Sequence, residues 1–182
     1  MENEYLDIIN ENNNLVGKSE LRSVVHSKGL RHRTVHIYLF RKRDDIEFLI
    51  HRRPKTKDLH PNKLATMFGG HVKAGKTIEE TALSELKEET GLNVKMINLI
   101  RGPWLKSEDI LNNKEFNAVF YFEYNGEIKN LKFQTSEIQE PKWLSASKIK
   151  KSMTKNPNIW MREAKEFKEI VKFLVQKPEK QK

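Results

Sequence analysis

Residues 70–92, GHVKAGKTIEETALSELKEETGL, decide the fold. Thr77 and Glu80 form a T-x-x-E capping box, which predicts a helix start, and Gly91 is a natural stop. Glu85, Glu88 and Glu89 stand three and four apart just before that glycine. At ~100° per residue from Ile78, Ala82 falls at ~40°, Leu86 at ~80° and Leu83 at ~140°, which is the apolar stripe. Glu89 at ~20° and Glu85 at ~340° lie at or inside its edge, whereas Glu80, Ser84 and Lys87 at ~180–240° face outward. Glu88 at ~280° is intermediate. Glu79 sits in the first turn, where the helix dipole favours a carboxylate. A merely solvated charged helix would place every glutamate opposite the stripe. Partly buried carboxylates need a cation or hydrogen bonds to offset desolvation, so Glu85 and Glu89 point to a metal site.

Worked outward, the stretch resembles the Nudix box, G-x5-E-x7-R-E-U-x-E-E-x-G-U, where U is a bulky aliphatic residue. Gly70 matches the first glycine, and Glu85, Leu86, Glu88, Glu89, Gly91 and Leu92 match the second half in register. Lys76 stands where the box has glutamate and Ser84 where it has arginine, with the glycine spacing intact. The resemblance implies a Nudix-type α/β/α sandwich with a mixed sheet. It implies Mg²⁺, or Mn²⁺, on Glu85, Glu88 and Glu89, with Glu85 or Glu89 as the catalytic group that assists water. Such a cation neutralises a diphosphate and lowers the pKa of bound water. The box arginine helps to orient the first glutamate, and Ser84 cannot do so with charge. Lys76 offers a cation from the loop instead.

The chain has 182 residues, enough for one domain with a core, here read as a single domain over 1–182. Residues 1–30 form an N-terminal extension, 70–92 the box and 177–182 a solvated tail. No stretch reads as a membrane span, and Met1-Glu2-Asn3-Glu4 is too polar for a signal peptide. Zero cysteines remove disulfides, thiolate metal sites and cysteine nucleophiles. A cytoplasmic protein is expected. The net charge of +9 suits nucleic acid, an anionic surface or a phosphorylated small molecule. No basic stretch carries regular aromatic interleaving, so no nucleic-acid module is read. A homodimer through the N-terminal hairpin is one expectation.

Along the chain, Tyr5–Asn10 and a return strand from Leu15–Gly17 predict an N-terminal hairpin. Ser19–Ser27 reads as a short helix with Ser19 as its N-cap. Thr34–Arg41 and Ile46–Arg52 read as paired strands, and Val94–Ile100, Phe116–Tyr124 and Ile138–Leu144 as further strands. Ser145–Ser152 and Asn158–Gln176 read as helices. The last has Ile159, Ala164, Phe167, Ile170, Val171 and Leu174 on its apolar face. Mixed strands and helices in this order predict an α/β fold.

The segment from Arg31 to Leu92 is similar to the isopentenyl-diphosphate isomerase-like branch of the family. The similarity rests on Leu30-Arg31-His32-Arg33, the strand ending at Arg53, Lys57, and Gly69-Gly70-His71. In isomerases a cysteine and a metal site of histidines and glutamates act on the alkene. Gly69 aligns with that cysteine. His32 and His71 match two metal histidines, and His26 lies one residue out of register with a third. Glu115 matches a metal glutamate, and Asn113 stands where a second would be. A lone strand histidine is otherwise a hydrogen-bonded or surface group. His51 and His60 read as exposed and loop residues.

Arg53, a bidentate donor, and Lys57, a point charge, are the expected phosphate contacts, with surface charge as the alternative. Gly70 and His71 complete the expected substrate-binding set. Glu137 and Glu140 are candidates for an additional carboxylate, or solvated loop charges. Trp104, Trp143 and Trp160 read as packing residues, Trp104 being the best candidate for substrate stacking. The expected activity is metal-dependent hydrolysis of a diphosphate linkage in a nucleoside diphosphate linked to X, or a related organic diphosphate. A non-catalytic ligand-binding module and an isomerase are the competing classes.

Overall fold

The computed structural model describes residues 4–57, 59–108 and 113–176; the expected tail at 177–182 and the first three residues lie outside them. The fold is mixed α/β with a mixed sheet. Strand pairs of known register are antiparallel, and one bridge, Leu64 with Trp160, is parallel. The chain clusters into two compact units, Met1–Tyr38 with Phe68–Phe122, and Leu39–Met67 with Glu123–Lys182. Among the described residues no helix is long and apolar enough to cross a membrane.

The first unit opens with a hairpin of β1 (Tyr5–Ile9) and β2 (Leu15–Leu21). Helix α1 follows over Arg22–Ser27. It starts three residues later than the sequence suggests. Ser19 stays in β2 opposite Asp7 and donates its hydroxyl to that carboxylate at 2.6 Å, so it cannot cap a helix. Leu6, Ile8 and Val25 bury together against Leu30, which fixes α1 on the hairpin. Strand β3 (His32–Lys42) begins here and continues into the second unit. Helix α2 covers Ile78–Thr90. Strands β6 (Ile100–Glu108) and β7 (Lys114–Glu123) complete the unit, in the order β3-β7-β6.

The strand expected at 94–100 is instead coil and a 3₁₀ turn over Met96–Asn98, and β6 lies beyond it. Gly102-Pro103 looks like a loop but sits in a register shift between Arg101 and Trp104. A bulge is where a strand tolerates proline, which has no N–H for the ladder.

In the second unit β4 (Ile46–Arg52) pairs with the end of β3, with β5 (Leu64–Ala65) and with β8 (Gln139–Ser145). Helix α3 (Ala146–Lys155) is capped by Ser145, whose hydroxyl accepts the Lys148 N–H. Helix α4 (Ala164–Gln176) buries Phe167, Ile170, Val171 and Leu174, as its periodicity predicts. Phe167 meets Phe48 edge-on, ring centroids 5.1 Å apart. The long helix expected from Asn158 is interrupted. Pro157–Ile159 is a 3₁₀ turn, Ile159 is 43% exposed, and the regular helix starts only at Ala164.

Candidate functional site

Helix α2 is framed as its sequence requires. Thr77 accepts the Glu80 N–H, and Glu80 accepts the Thr77 N–H in return. Gly91 closes the helix at φ 76°, in the left-handed region. With both ends fixed, burial follows the helical wheel. Ala82 and Leu86 are buried, Glu89 is only 7% exposed, Glu85 is half-buried, and Glu80 and Glu88 are exposed.

The buried side of α2 meets the Phe68–Val72 segment. That segment is held on its other side by β3. Ile37 and Phe68 exchange N–H donors at 2.8 and 2.9 Å, Val35 N–H donates to Gly70 O at 2.9 Å, and Val72 N–H to Arg33 O at 2.9 Å. Gly69 N–H donates to Glu89 Oε2 at 2.7 Å. A Cβ on Gly70 would stand 2.7 Å from Glu85 Oε1, so glycine lets the loop backbone approach that carboxylate. Glu88 points elsewhere: its Oε1 accepts the Ser84 hydroxyl at 2.6 Å. Ser84, where the box has arginine, therefore serves Glu88. Lys76, 4.0 Å from Glu80 on the exposed side, is an i,i+4 ion pair. Carboxylate oxygens are hard donors suited to Mg²⁺ or Mn²⁺. The fit of a cation here rests on the half-buried and buried carboxylates of Glu85 and Glu89 facing the glycine loop.

A cluster of histidines lies on the next residue of the same loop. Thr34 bridges to His71, bringing His71 beside His32 of β3 and His26 of α1. Among the described residues this trio, not the three glutamates, brings one potential ligand atom from each residue within 4.8 Å of the others. His26 Nε2 and His71 Nε2 are 3.2 Å apart. His32 Nδ1 lies 3.0 Å from Leu30 O, so a proton there leaves the Nε2 lone pair facing inward. That Nε2 is buried without a hydrogen-bond partner among the described residues. Burial first, then the neighbouring His32, holds His71 well below the usual histidine pKa; burial likewise lowers His32. Both are neutral at pH 7, the state that ligates metal. Three imidazole nitrogens suit a borderline transition metal.

Glu115 adjoins this trio, its Oε1 3.9 Å from His32 Nε2. It is buried and accepts from Asn113 Nδ2 at 2.7 Å and Asn117 Nδ2 at 2.9 Å. Asn117 also donates to Thr34 Oγ1 at 2.8 Å, and its Oδ1 accepts the Ser107 hydroxyl at 3.1 Å. Sequence reasoning missed Asn117 and Ser107. The signal was present for Asn117: residues 115 and 117 are two apart along β7 and share one face, with Asn113 just ahead of the strand.

The remaining expected site residues belong to the second unit. Arg53 uses Nε and Nη2 to hold the Leu59 carbonyl at 3.3 and 3.1 Å. Lys57 forms an ion pair with Glu137. Glu140 pairs with Arg52 at 2.9 Å. His51 is not the exposed residue its neighbours Arg52-Arg53 suggest. It is 2% exposed, and its Nε2–H donates to Met67 O at 3.0 Å. Burial pushes its pKa down to about 4. Of the tryptophans, Trp160 is buried and Trp104 is 37% exposed, with the Arg101 guanidinium 4.8 Å from its ring centre.

Comparison with known proteins gives one answer. The NUDIX domain matches residues 30–164. A protein of Clostridium acetobutylicum, named an uncharacterised Nudix hydrolase, is 34% identical over 142 residues, covering 76% of this chain and 68% of its own. A Yersinia pestis protein named likewise is 37% identical over 89 residues, and the chain spans about half of its length, 47%. Among solved structures, a Deinococcus radiodurans protein superposes with a TM-score of 0.65 at 28% identity, covering 84% of this chain and 90% of that one. With the domain match spanning most of its length, the chain belongs to the Nudix family and is an enzyme of the pyrophosphohydrolase class.

Proposed function

We propose that the enzyme hydrolyses a diphosphate linkage in a nucleoside diphosphate linked to X, or a related organic diphosphate. Glu85, Glu88 and Glu89 would hold Mg²⁺ or Mn²⁺. The observation that carries this reading is the loop backbone at Gly69-Gly70 seated against the carboxylates of Glu89 and Glu85. A divalent cation held there would neutralise the diphosphate and make water a better nucleophile. The chain's own residues do the rest. Glu89 is oriented by the Gly69 N–H, and Glu85 stands over Gly70, so either can take the proton of the attacking water. Gly70 offers close backbone approach to substrate. Lys57 would exchange Glu137 for a phosphate oxygen, and Arg53 would present its charge while holding the Leu59 carbonyl.

One observation favours a second reading for part of the site. The gathered nitrogens of His26, His32 and His71 support a separate transition-metal position, with Glu115 beside it. That is the arrangement the isomerase-like resemblance implies, but Gly69 speaks against isomerase chemistry. At φ 130° it is left-handed, and a Cβ there would lie 2.1 Å from Val35 O, so the position takes no cysteine as folded.

The test is the appearance of phosphomonoester products, separated by ion-exchange chromatography, from a panel of nucleotide-linked and isoprenoid diphosphates with Mg²⁺ or Mn²⁺. Metal-dependent hydrolysis of a panel member is expected. Ligand binding with no turnover across the panel would favour a binding module, and a rearranged alkene with its diphosphate intact an isomerase.

A further inference from the structure

Resting on the reading that Glu89 holds metal, we infer that the backbone N–H of Gly69 is a positioning group for that carboxylate. Three observations meet at this one peptide. Gly69 N–H donates to Glu89 Oε2 at 2.7 Å, and Glu89 is buried, so the bond acts away from bulk water. The donor cannot drift, because the peptides around it are clamped to β3 by Phe68–Ile37 and Gly70–Val35 hydrogen bonds. The conformation that aims it, φ 130°, with the Cβ position 2.1 Å from Val35 O, admits glycine alone.

The consequence is a division of labour among the glutamates. One oxygen of Glu89 is fixed by the backbone, so the carboxylate enters the site in one orientation before any cation binds. Glu88 receives a flexible hydroxyl, from Ser84, on the exposed side of α2. Orientation by a rigid peptide loses no side-chain entropy on metal binding, unlike orientation by a long side chain. In this chain, which has serine where the box has arginine, part of the orienting is thus done by the glycine loop. Outer-sphere donors of this kind are worth roughly 10-fold or more in metal affinity.

Gly69→Ala is a poor test, since its Cβ would collide with backbone and disturb the fold. The N–H can be removed by replacing Gly69 with glycolic acid, which turns the amide into an ester and also weakens the Phe68 carbonyl as an acceptor for Ile37 N–H, a change that Tm reads. Mn²⁺ affinity and Tm are then measured on the full-length wild type, the ester and Glu89→Gln. The expected result is Mn²⁺ binding roughly 10-fold weaker in the ester while it remains folded. Mn²⁺ affinity within about twofold of wild type, whatever the change in Tm, overturns the inference and leaves a structural peg. Glu89→Gln separates the two levels. If it binds Mn²⁺ like wild type, the glutamate reading itself fails; if it loses binding and the ester does not, only the role of Gly69 fails.

Discussion

At the scale of single residues, three glutamates within five positions have three different surroundings. Glu89 is buried and hydrogen-bonded to the loop, Glu85 is half-buried over Gly70, and Glu88 is exposed and bonded to Ser84. Neutralising them should therefore not be equivalent. Glu88→Gln should weaken Mn²⁺ binding less than Glu89→Gln does, as titration calorimetry on both variants would show; equal losses would mean that burial does not grade their roles. Lys57→Ala should raise KM several-fold with kcat nearly unchanged, the pattern of a lost ground-state phosphate contact. A fall in kcat alone would assign Lys57 a different part. The glutamates were legible in the sequence because Thr77 and Gly91 fix the frame of the helix, after which the wheel sorts Glu85 and Glu89 from Glu80. The histidine trio was less so. His26 and His71 are 45 residues apart, and they meet because the loop pairs with β3 at Thr34–His71 and at the neighbouring peptides.

At the scale of elements, capping and register explain both what the sequence disclosed and what it hid. Loss of the Thr77 hydroxyl in Thr77→Ala should cost about 1 kcal/mol, read from urea unfolding, because Glu80 N–H would then lack its partner. The hairpin of β1 and β2 is held at its turn by charge. Arg31 is buried and bridges Glu11 at 2.8 Å and Glu108 at 2.6 Å, and Arg33 Nε donates to Asn13 Oδ1 at 2.8 Å. Arg31→Ala should raise amide exchange across Tyr5–Leu21 while α2 stays protected; unchanged exchange in the hairpin would dismiss the latch. Strand β4 was legible to the residue. Strand β6 was not, because Gly102-Pro103 signals a loop unless the bulge is known. The start of α4 was misplaced because Ile159 continues the apolar spacing on which periodicity depends, although the chain there forms a 3₁₀ turn.

At the scale of the molecule, stability should carry a histidine signature. His51 is neutral when folded, with its pKa held down to about 4 by burial, against about 6.5 in the unfolded chain. Between these values the unfolded state binds the extra proton. Its contribution is therefore whole above pH 6.5 and is lost as pH falls toward 4, roughly 2 kcal/mol by pH 4.5. His51→Gln should flatten stability against pH across that window, as denaturant titrations at pH 7 and pH 4.5 would show; an unaltered slope would mean another group titrates there. The family was readable from the box at this scale. The group X on the diphosphate was not, since specificity comes from loop surfaces and not from the fold. The central claim is that α2 is the metal-holding element of a hydrolase. Its most direct test is Mg²⁺-dependent turnover of the best panel substrate by wild type and Glu89→Gln, with folding checked by circular dichroism. Turnover lower by on the order of 100-fold in the folded variant is the expected result. Turnover equal to wild type would contradict the claim.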